Sequence, residues 1–95
     1  MKAELLFRQR IEYDDDAIAE MVLWRVISPV PPSTHRLKYR LFYGRSGLRE
    51  VGYDNERGKG DHRHFQGIET PYRFTTVEKL MSDFWADVRS VRGKE

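Results

Sequence analysis

The sequence predicts a single α+β domain of residues 1–95, in which four or five mostly antiparallel strands are covered on one face by a C-terminal helix. Short polar turns between β-like segments are typical of hairpins, and they punctuate the chain up to about residue 75. Beyond that point the apolar spacing changes to 3, 4, 3, 4, 3, which marks one face of a helix. A chain of 95 residues is large enough for one small core.

The first hairpin is predicted from two segments joined by three consecutive aspartates. Residues 2–13 alternate apolar and polar side chains in their second half, which predicts the first strand. Asp side chains bond their own backbone, so residues 14–16 predict a turn. Residues 17–27 are rich in apolar and β-branched side chains and predict the second strand, with a helix as the alternative because Ala-Glu-Met-Val-Leu has good helix propensity.

The second hairpin follows a proline-rich loop at residues 28–34. Residues 35–43 predict the third strand, because apolar and basic side chains alternate there, and Lys38 and Arg40 lie on its basic face. A glycine-containing turn then leads to residues 48–53, which predict the fourth strand.

The polar segment 53–64 holds two of the three histidines of the chain. Its Asx and Gly residues predict a loop that leads into a short extended piece. Successive side chains of an extended segment alternate, so His62 and His64 are expected on one face and Arg63 on the other. Residues 68–74 predict a fifth strand, and a proline within them limits it to an edge or an end of the sheet.

The C-terminal helix is predicted for about residues 76–91. Thr75 and Glu78 have the spacing of a capping box, and Gly93 stands where a helix stop belongs. The apolar face that we expect to pack on the sheet consists of Val77, Leu80, Met81, Phe84, Val88 and Val91.

Composition excludes several classes of protein. The chain contains no cysteine, so it has no disulfide, no cysteine-ligated zinc and no thiol nucleophile, which fits a reducing compartment. No apolar run approaches the length of a membrane span, and Glu4 interrupts what would be the start of a signal peptide. We therefore expect a cytoplasmic protein that does not enter a membrane.

The basic residues are concentrated in the middle of the chain. Residues 35–73 carry nine Lys and Arg against five Asp and Glu, a net charge of +4, whereas the whole chain carries +2. Twelve of the 17 basic residues are arginine, whose planar guanidinium matches phosphate oxygens. This distribution favours an anionic partner, with an evenly ion-paired surface as the alternative.

The motifs of the chain resemble those of the TumE family. They are the His-x-x-Lys-Tyr-Arg-Leu-x-Tyr run from His35, the Tyr-Asp-Asn of 53–55, the Gly-Lys-Gly-Asp-His-Arg-His of 58–64, and the Tyr-x-Phe of 72–74 before the helix. The resemblance implies a toxin of a bacterial or archaeal toxin–antitoxin pair and a cognate antitoxin as partner. A homodimer and a hetero-oligomer with the antitoxin are both compatible with the sequence. The resemblance implies no particular reaction.

The residues themselves favour a metal-independent endoribonuclease that needs no cofactor. RNA carries its own nucleophile in the 2′-OH, so cleavage needs a base, an acid and cations for the phosphorane charge. His62 and His64 are the candidate acid and base, and Asp61 is the candidate to orient one imidazole. Lysine, arginine, tyrosine and histidine side chains offer phosphate contacts and base stacking. The candidate RNA-binding residues are Lys59, Arg63, Arg57, Lys38, Arg40, Tyr39, Tyr53 and His35.

Two other functions remain open from the sequence, and nucleotidyl or phosphoryl transfer to a host target is a further enzyme class compatible with it. A divalent ion held by His62 and His64, with Asp61, His35 or Asp54 nearby, would make a metal-dependent nuclease, although the cations of the segment oppose metal binding. A module that binds nucleic acid or the antitoxin without catalysis needs only the basic loop.

Overall fold

The computed structural model describes residues 3–93, which form one six-stranded antiparallel sheet and one helix. Neighbouring strands in the sheet are also neighbours in the chain. The strands are β1 (Ala3–Glu12), β2 (Ala17–Val26), β3 (Leu37–Arg45), β4 (Leu48–Glu56), β5 (Gly60–Phe65) and β6 (Ile68–Pro71), and the helix is α1 (Val77–Arg92). The predicted α+β class, the antiparallel sheet and the C-terminal helix are thus confirmed.

The predicted number of four or five strands is wrong, since the described residues form six. The additional strand is β5, which the sequence indicated only as an extended piece after a loop. β5 begins with Gly60 and Asp61, which are poor strand formers, but it pairs with β4 on one side and with β6 on the other. Pairing on both sides therefore decides its conformation where propensity does not.

The core lies between α1 and one face of the sheet, which we call the helix face. Alternate residues of β2, β3 and β4 point to this face, in accordance with the period of two in a strand. The buried core residues are Ala17, Ala19, Met21, Leu23, Tyr39, Leu41, Tyr43, Val51 and Tyr53 from the sheet, and Leu80, Phe84, Val88 and Val91 from the helix.

The start of α1 differs by one residue from the predicted capping box. Thr76 is the N-cap, and its hydroxyl accepts a hydrogen bond of 3.1 Å from the amide of Lys79. Thr76 therefore caps the helix in place of Thr75. The third residue after the cap is Lys79, so Glu78 does not complete a capping box. The predicted stop is confirmed, since Gly93 is the C-cap.

The opposite side of the sheet, which we call the open face, is left uncovered by α1. Residues paired directly across an antiparallel sheet point to the same side. The strand registers place Val22, Arg40, Asp54 and His62 in one row of this face. The adjacent row consists of Glu20, Phe42, Gly52 and His64.

Arg63 belongs to the helix face, where it joins β5 to α1. Its Nε and Nη2 donate to the two carboxylate oxygens of Asp87 at 2.8 and 3.0 Å. The hydroxyl of Tyr53 donates to the same carboxylate at 2.5 Å. This position does not support the predicted role of Arg63 as an RNA contact, because its guanidinium is paired with Asp87 of α1.

We expect the Asp87→Ala variant to lose about 1–3 kcal/mol of unfolding free energy, since it leaves the partly buried guanidinium of Arg63 without its charged partner. Urea denaturation measures this loss. The matched control is Lys79→Ala, which removes an exposed i, i+4 ion pair with Asp83 and should cost no more than about 0.5 kcal/mol. Equal unfolding midpoints for the two variants would show that the ion pair between Arg63 and Asp87 does not stabilise the packing of α1 on the sheet.

Candidate active site

His62 and His64 lie side by side on the open face, as the two-residue spacing predicted. Both belong to β5, and their ring centroids are 4.9 Å apart with an angle of 75° between the rings. The side chain of His62 is only 5% exposed, whereas His64 is partly exposed. A substrate on the open face would therefore meet His64 first and the edge of His62 beside it.

The His62 ring is held by a carbonyl on one side and a carboxylate on the other. Its Nδ1 lies 3.0 Å from the carbonyl oxygen of Gly60, and because a carbonyl only accepts, Nδ1 carries hydrogen. Its Nε2 lies 2.6 Å from Oδ1 of Asp54. This oxygen is buried and receives no well-aligned hydrogen bond, so the contact is an ion pair by distance only.

The contact with Asp54 constrains what can lie between the two side chains. A neutral imidazole with hydrogen on Nδ1 presents a lone pair at Nε2, which would repel the carboxylate oxygen 2.6 Å away. The pair is stable when a second proton, or a metal cation, lies between the two atoms. Asp54 and His62 therefore form a pair that can hold a proton or a metal cation between Oδ1 and Nε2.

His64 has different surroundings from His62. Its Nδ1 lies 2.9 Å from Nη2 of Arg49, and because a guanidinium only donates, Nδ1 must carry a lone pair. Partial burial lowers the pKa of His64, and the positive charge of Arg49 lowers it further. His64 is therefore neutral near pH 7 and presents a basic nitrogen.

Arg49 reaches His64 because of a bulge and a glycine. The register between β3 and β4 shifts after Tyr43, so that Gly44 pairs with Arg49 and the arginine points to the open face. A Cβ atom on Gly52 would lie 2.7 Å from Cδ of Arg49. Arg49 was not among the residues predicted from the sequence, although a glycine inside a strand signals the close approach of another group.

Glu69 and Lys59 border the histidines at the β5–β6 edge. Oε2 of Glu69 lies 3.8 Å from Nε2 of His62 and 3.3 Å from Nζ of Lys59. The hydrogen bond from Lys59 lowers the pKa of Glu69, so this carboxylate stays ionised. A cavity of about 370 Å³ opens here, lined in part by Lys59, His62 and Glu69.

Asp61 does not orient either of these histidines, contrary to the prediction. Adjacent residues of a strand point to opposite faces, so Asp61 lies on the helix face. Its Oδ2 accepts hydrogen bonds from Tyr39 at 2.6 Å and from Nε2 of His35 at 2.7 Å, and its Oδ1 accepts one from Ser33. Asp61 and His35 thus form a separate network, and Asp54 is the carboxylate that contacts His62.

The remaining predicted residues divide between the two faces. Tyr39 and Tyr53 are 0% and 2% exposed, so their rings are covered and offer no surface on which a base can stack. Lys38 and Arg40 lie on the open face, where Lys38 donates to the carbonyl of Asn55. Arg57, at the end of the same face, is exposed.

Asp54, His62 and His64 also have the composition of a metal site. Each offers one ligand atom, and these atoms lie within 4.8 Å of one another. One carboxylate and two imidazoles suit zinc, and the buried Oδ1 of Asp54 without an aligned donor fits such a group. Of the ligands that the sequence suggested, Asp61 and His35 do not belong to this cluster.

Fold and site together define a small α+β protein whose open face presents two adjacent histidines, a carboxylate and several cations. The chain belongs to the TumE toxin family, since the family model described as Toxin TumE matches residues 2–92. It is therefore a toxin of a toxin–antitoxin system, whose partner is an antitoxin, and the resemblance seen in the sequence is confirmed. No significant match was found among curated proteins or solved structures. Among residues 3–93, no helix is both long and apolar enough to cross a membrane.

The Asp61 network predicts a specific acid dependence of stability. Burial alone would raise the pKa of Asp61, but hydrogen bonds from Ser33, Tyr39 and His35 outweigh it and hold the pKa below its ordinary value of 3.8. A carboxylate with a lowered folded pKa stabilises the fold above its unfolded pKa, and this contribution disappears as pH falls through the folded value.

We expect Asp61→Asn to be less stable than the parent at pH 7, with a difference that shrinks as pH falls below about 5. Urea unfolding at a series of pH values measures this difference. Ser33→Ala removes one donor and should give an intermediate dependence on pH. A difference between Asp61→Asn and the parent that stays constant down to about pH 2 would contradict this account.

Proposed function

We propose that this toxin is a metal-independent endoribonuclease in which His64 is the general base and His62 is the general acid. His64 takes the proton of a 2′-OH, whose oxygen attacks the adjacent phosphorus. The bond from phosphorus to the 5′ oxygen breaks, and His62 gives that oxygen the Nε2 proton that faces Asp54 in the free protein. The products are a 2′,3′-cyclic phosphate and a 5′-OH, so no water and no cofactor is consumed.

The contrasting contacts of the two adjacent histidines are the observation that carries the proposal. The Gly60 carbonyl lies beside Nδ1 of His62, and we infer that the Asp54 carboxylate beside Nε2 holds a second proton there. Arg49 requires a lone pair on His64. Two titratable groups whose surroundings separate their protonation states are the usual arrangement of an acid and a base. Their ring separation of 4.9 Å allows both to reach one phosphodiester.

Arg49 has two successive tasks in this mechanism. In the free protein its guanidinium donates to Nδ1 of His64, which keeps that nitrogen unprotonated. An entering phosphate offers the guanidinium an anionic acceptor, so that Arg49 turns to the phosphate and leaves Nδ1 free to accept the 2′-OH proton. A guanidinium and the nearby Lys59 then stabilise the charge that develops on the phosphorane oxygens.

Lys38 and Arg40 extend the site along β3 as phosphate contacts. They lie on the same face as the histidines, and Arg40 pairs with Asp54, which in turn pairs with His62. Such contacts bind RNA of any sequence and weaken as salt rises, because each one releases counterions.

A metal-dependent nuclease is the second candidate, since Asp54, His62 and His64 could share an ion. The two mechanisms differ in their products and in their need for the 2′-OH. Hydrolysis by a metal-bound water would cut a strand that has deoxyribose at the scissile position, whereas internal transfer cannot.

We expect His62→Ala and His64→Ala each to reduce the rate of RNA cleavage by about 10²–10⁴, the range for positioned proton transfer. Both variants should still bind an RNA whose scissile 2′-OH is replaced by hydrogen, which shows that the fold and the surface are intact. Chelator should leave the parent unaffected, and the cut end should carry a cyclic phosphate.

Each contrary outcome has a definite meaning. Inhibition by chelator, together with cleavage of the 2′-deoxy strand, would replace this mechanism by the metal-dependent one. A folded double variant that cuts RNA and arrests cells as the parent does would exclude both histidines from catalysis.

The pH dependence of cleavage tests the role of Arg49. The base must be neutral, so the rate rises as pH passes the pKa of His64, which burial and then Arg49 lower. Arg49→Ala removes the positive charge, and the acid limb of the pH–rate profile should move to higher pH. Arg49→Lys keeps a charge and should leave that limb closer to the parent's. An unmoved acid limb in Arg49→Ala would mean that His64 is not the base.

A further inference from the structure

The open face carries a second concave region near Trp24, beyond the histidine site. It is a cavity of about 480 Å³, within the size range of small-molecule sites. Its apolar walls include Trp24, Val26 and Val30, and its polar groups are Lys38, Glu56 and Arg57. An aromatic ring with both signs of charge around it is suited to a ligand that is flat, polar at its edge and linked to an anion.

We propose that this cavity binds a guanine base of the RNA strand, at a nucleotide that flanks the cleaved bond. The inference rests on the proposed function for the presence of an RNA strand. It goes beyond that function by assigning a base preference to residues that take no part in proton transfer.

The charges of the cavity distinguish among the bases. A carboxylate accepts two parallel hydrogen bonds, and guanine alone presents two neighbouring donors, N1–H and the N2 amino group, on its Watson–Crick edge. Adenine and cytosine place a ring acceptor beside their amino group, and uracil places a carbonyl on each side of its N–H. Glu56 therefore attracts guanine and opposes the other three bases.

The cations and the aromatic ring complete the recognition. Lys38 and Arg57 offer positive charge for the phosphate attached to the base, which Glu56 alone would repel. Trp24 is partly exposed and offers an indole for stacking.

The position of the cavity connects it with the histidine site. Glu56 follows Asp54 by two residues of β4 on the same face, which corresponds to roughly 7 Å along the strand. Lys38 stands in the same relation to Arg40 on β3. A strand of RNA that leaves the histidines along these residues passes the two cations and reaches Trp24.

Binding is best measured in the His62→Ala, His64→Ala double variant, so that no RNA is consumed. The probes are labelled single-stranded RNAs of one length, containing one guanosine, adenosine or inosine in an otherwise uniform uridine strand. Inosine is guanosine without the N2 amino group. We expect the guanosine strand to bind most tightly, by about tenfold over the adenosine strand, as is typical for a bidentate contact.

Three substitutions test which residues of the cavity bind the base and produce the preference for guanosine. Glu56→Gln should remove the discrimination between guanosine and inosine, and because Glu56 is exposed this variant keeps its fold. Trp24→Ala should weaken binding of all strands about tenfold, and Trp24→Phe should restore part of the loss. The matched control is Glu78→Gln, which replaces an exposed carboxylate on α1. It should change neither the preference for guanosine nor the affinity for RNA.

The outcomes separate this inference from the proposed function. Equal binding of the guanosine and adenosine strands, or an unchanged preference in Glu56→Gln, would overturn the guanine site even if the parent cleaves RNA. A preference that Glu56→Gln abolishes would support the site even if the histidines prove non-catalytic. Guanosine monophosphate should not displace the strand at equal concentration, and displacement by it would indicate a site for free nucleotides instead.

Discussion

Alternation of side chains along the strands is the constraint on which the rest of this structure depends. Because neighbouring residues of a strand point to opposite faces, the segment Asp61-His62-Arg63-His64 is divided in two. Asp61 and Arg63 point toward the core, where they bind the loop before β3 and the helix. His62 and His64 point to the free surface. One short segment thus serves the stability of the domain and presents its candidate chemistry at the same time.

On the open face, residues of β4 and β5 give His62 and His64 different neighbours. His62 contacts a carboxylate of β4 and a carbonyl of its own strand, whereas His64 contacts a guanidinium that a bulge in β4 directs toward it. Two residues of the same type, adjacent on the same face, therefore have different electrostatic surroundings. The difference originates in the pairing of β4 with β5 and in the missing side chain of Gly52.

The sequence indicated those features that depend on local periodicity. The apolar stripe defined α1 to within about a residue, and the two-residue spacing placed His62 and His64 together. Features that depend on which residues pair across strands could not be predicted from the sequence. The choice of Asp54 over Asp61 as the partner of His62 follows from the β4–β5 register, which no single segment encodes. The burial of Tyr39 and Tyr53 follows from the side on which the helix packs, and alternation alone leaves that side undetermined.

The order of the strands has a consequence for how the chain acquires its structure. Each strand pairs only with its neighbours in sequence, so every pairing closes a short loop, which is the least costly kind of contact to form early. The helix follows all the strands of the described chain and is needed to cover β2, β3 and β4. During synthesis the sheet can therefore assemble in the order of translation, but its core stays exposed to water until α1 has left the ribosome. The interval before that event is one in which the growing polypeptide is most open to capture by another protein.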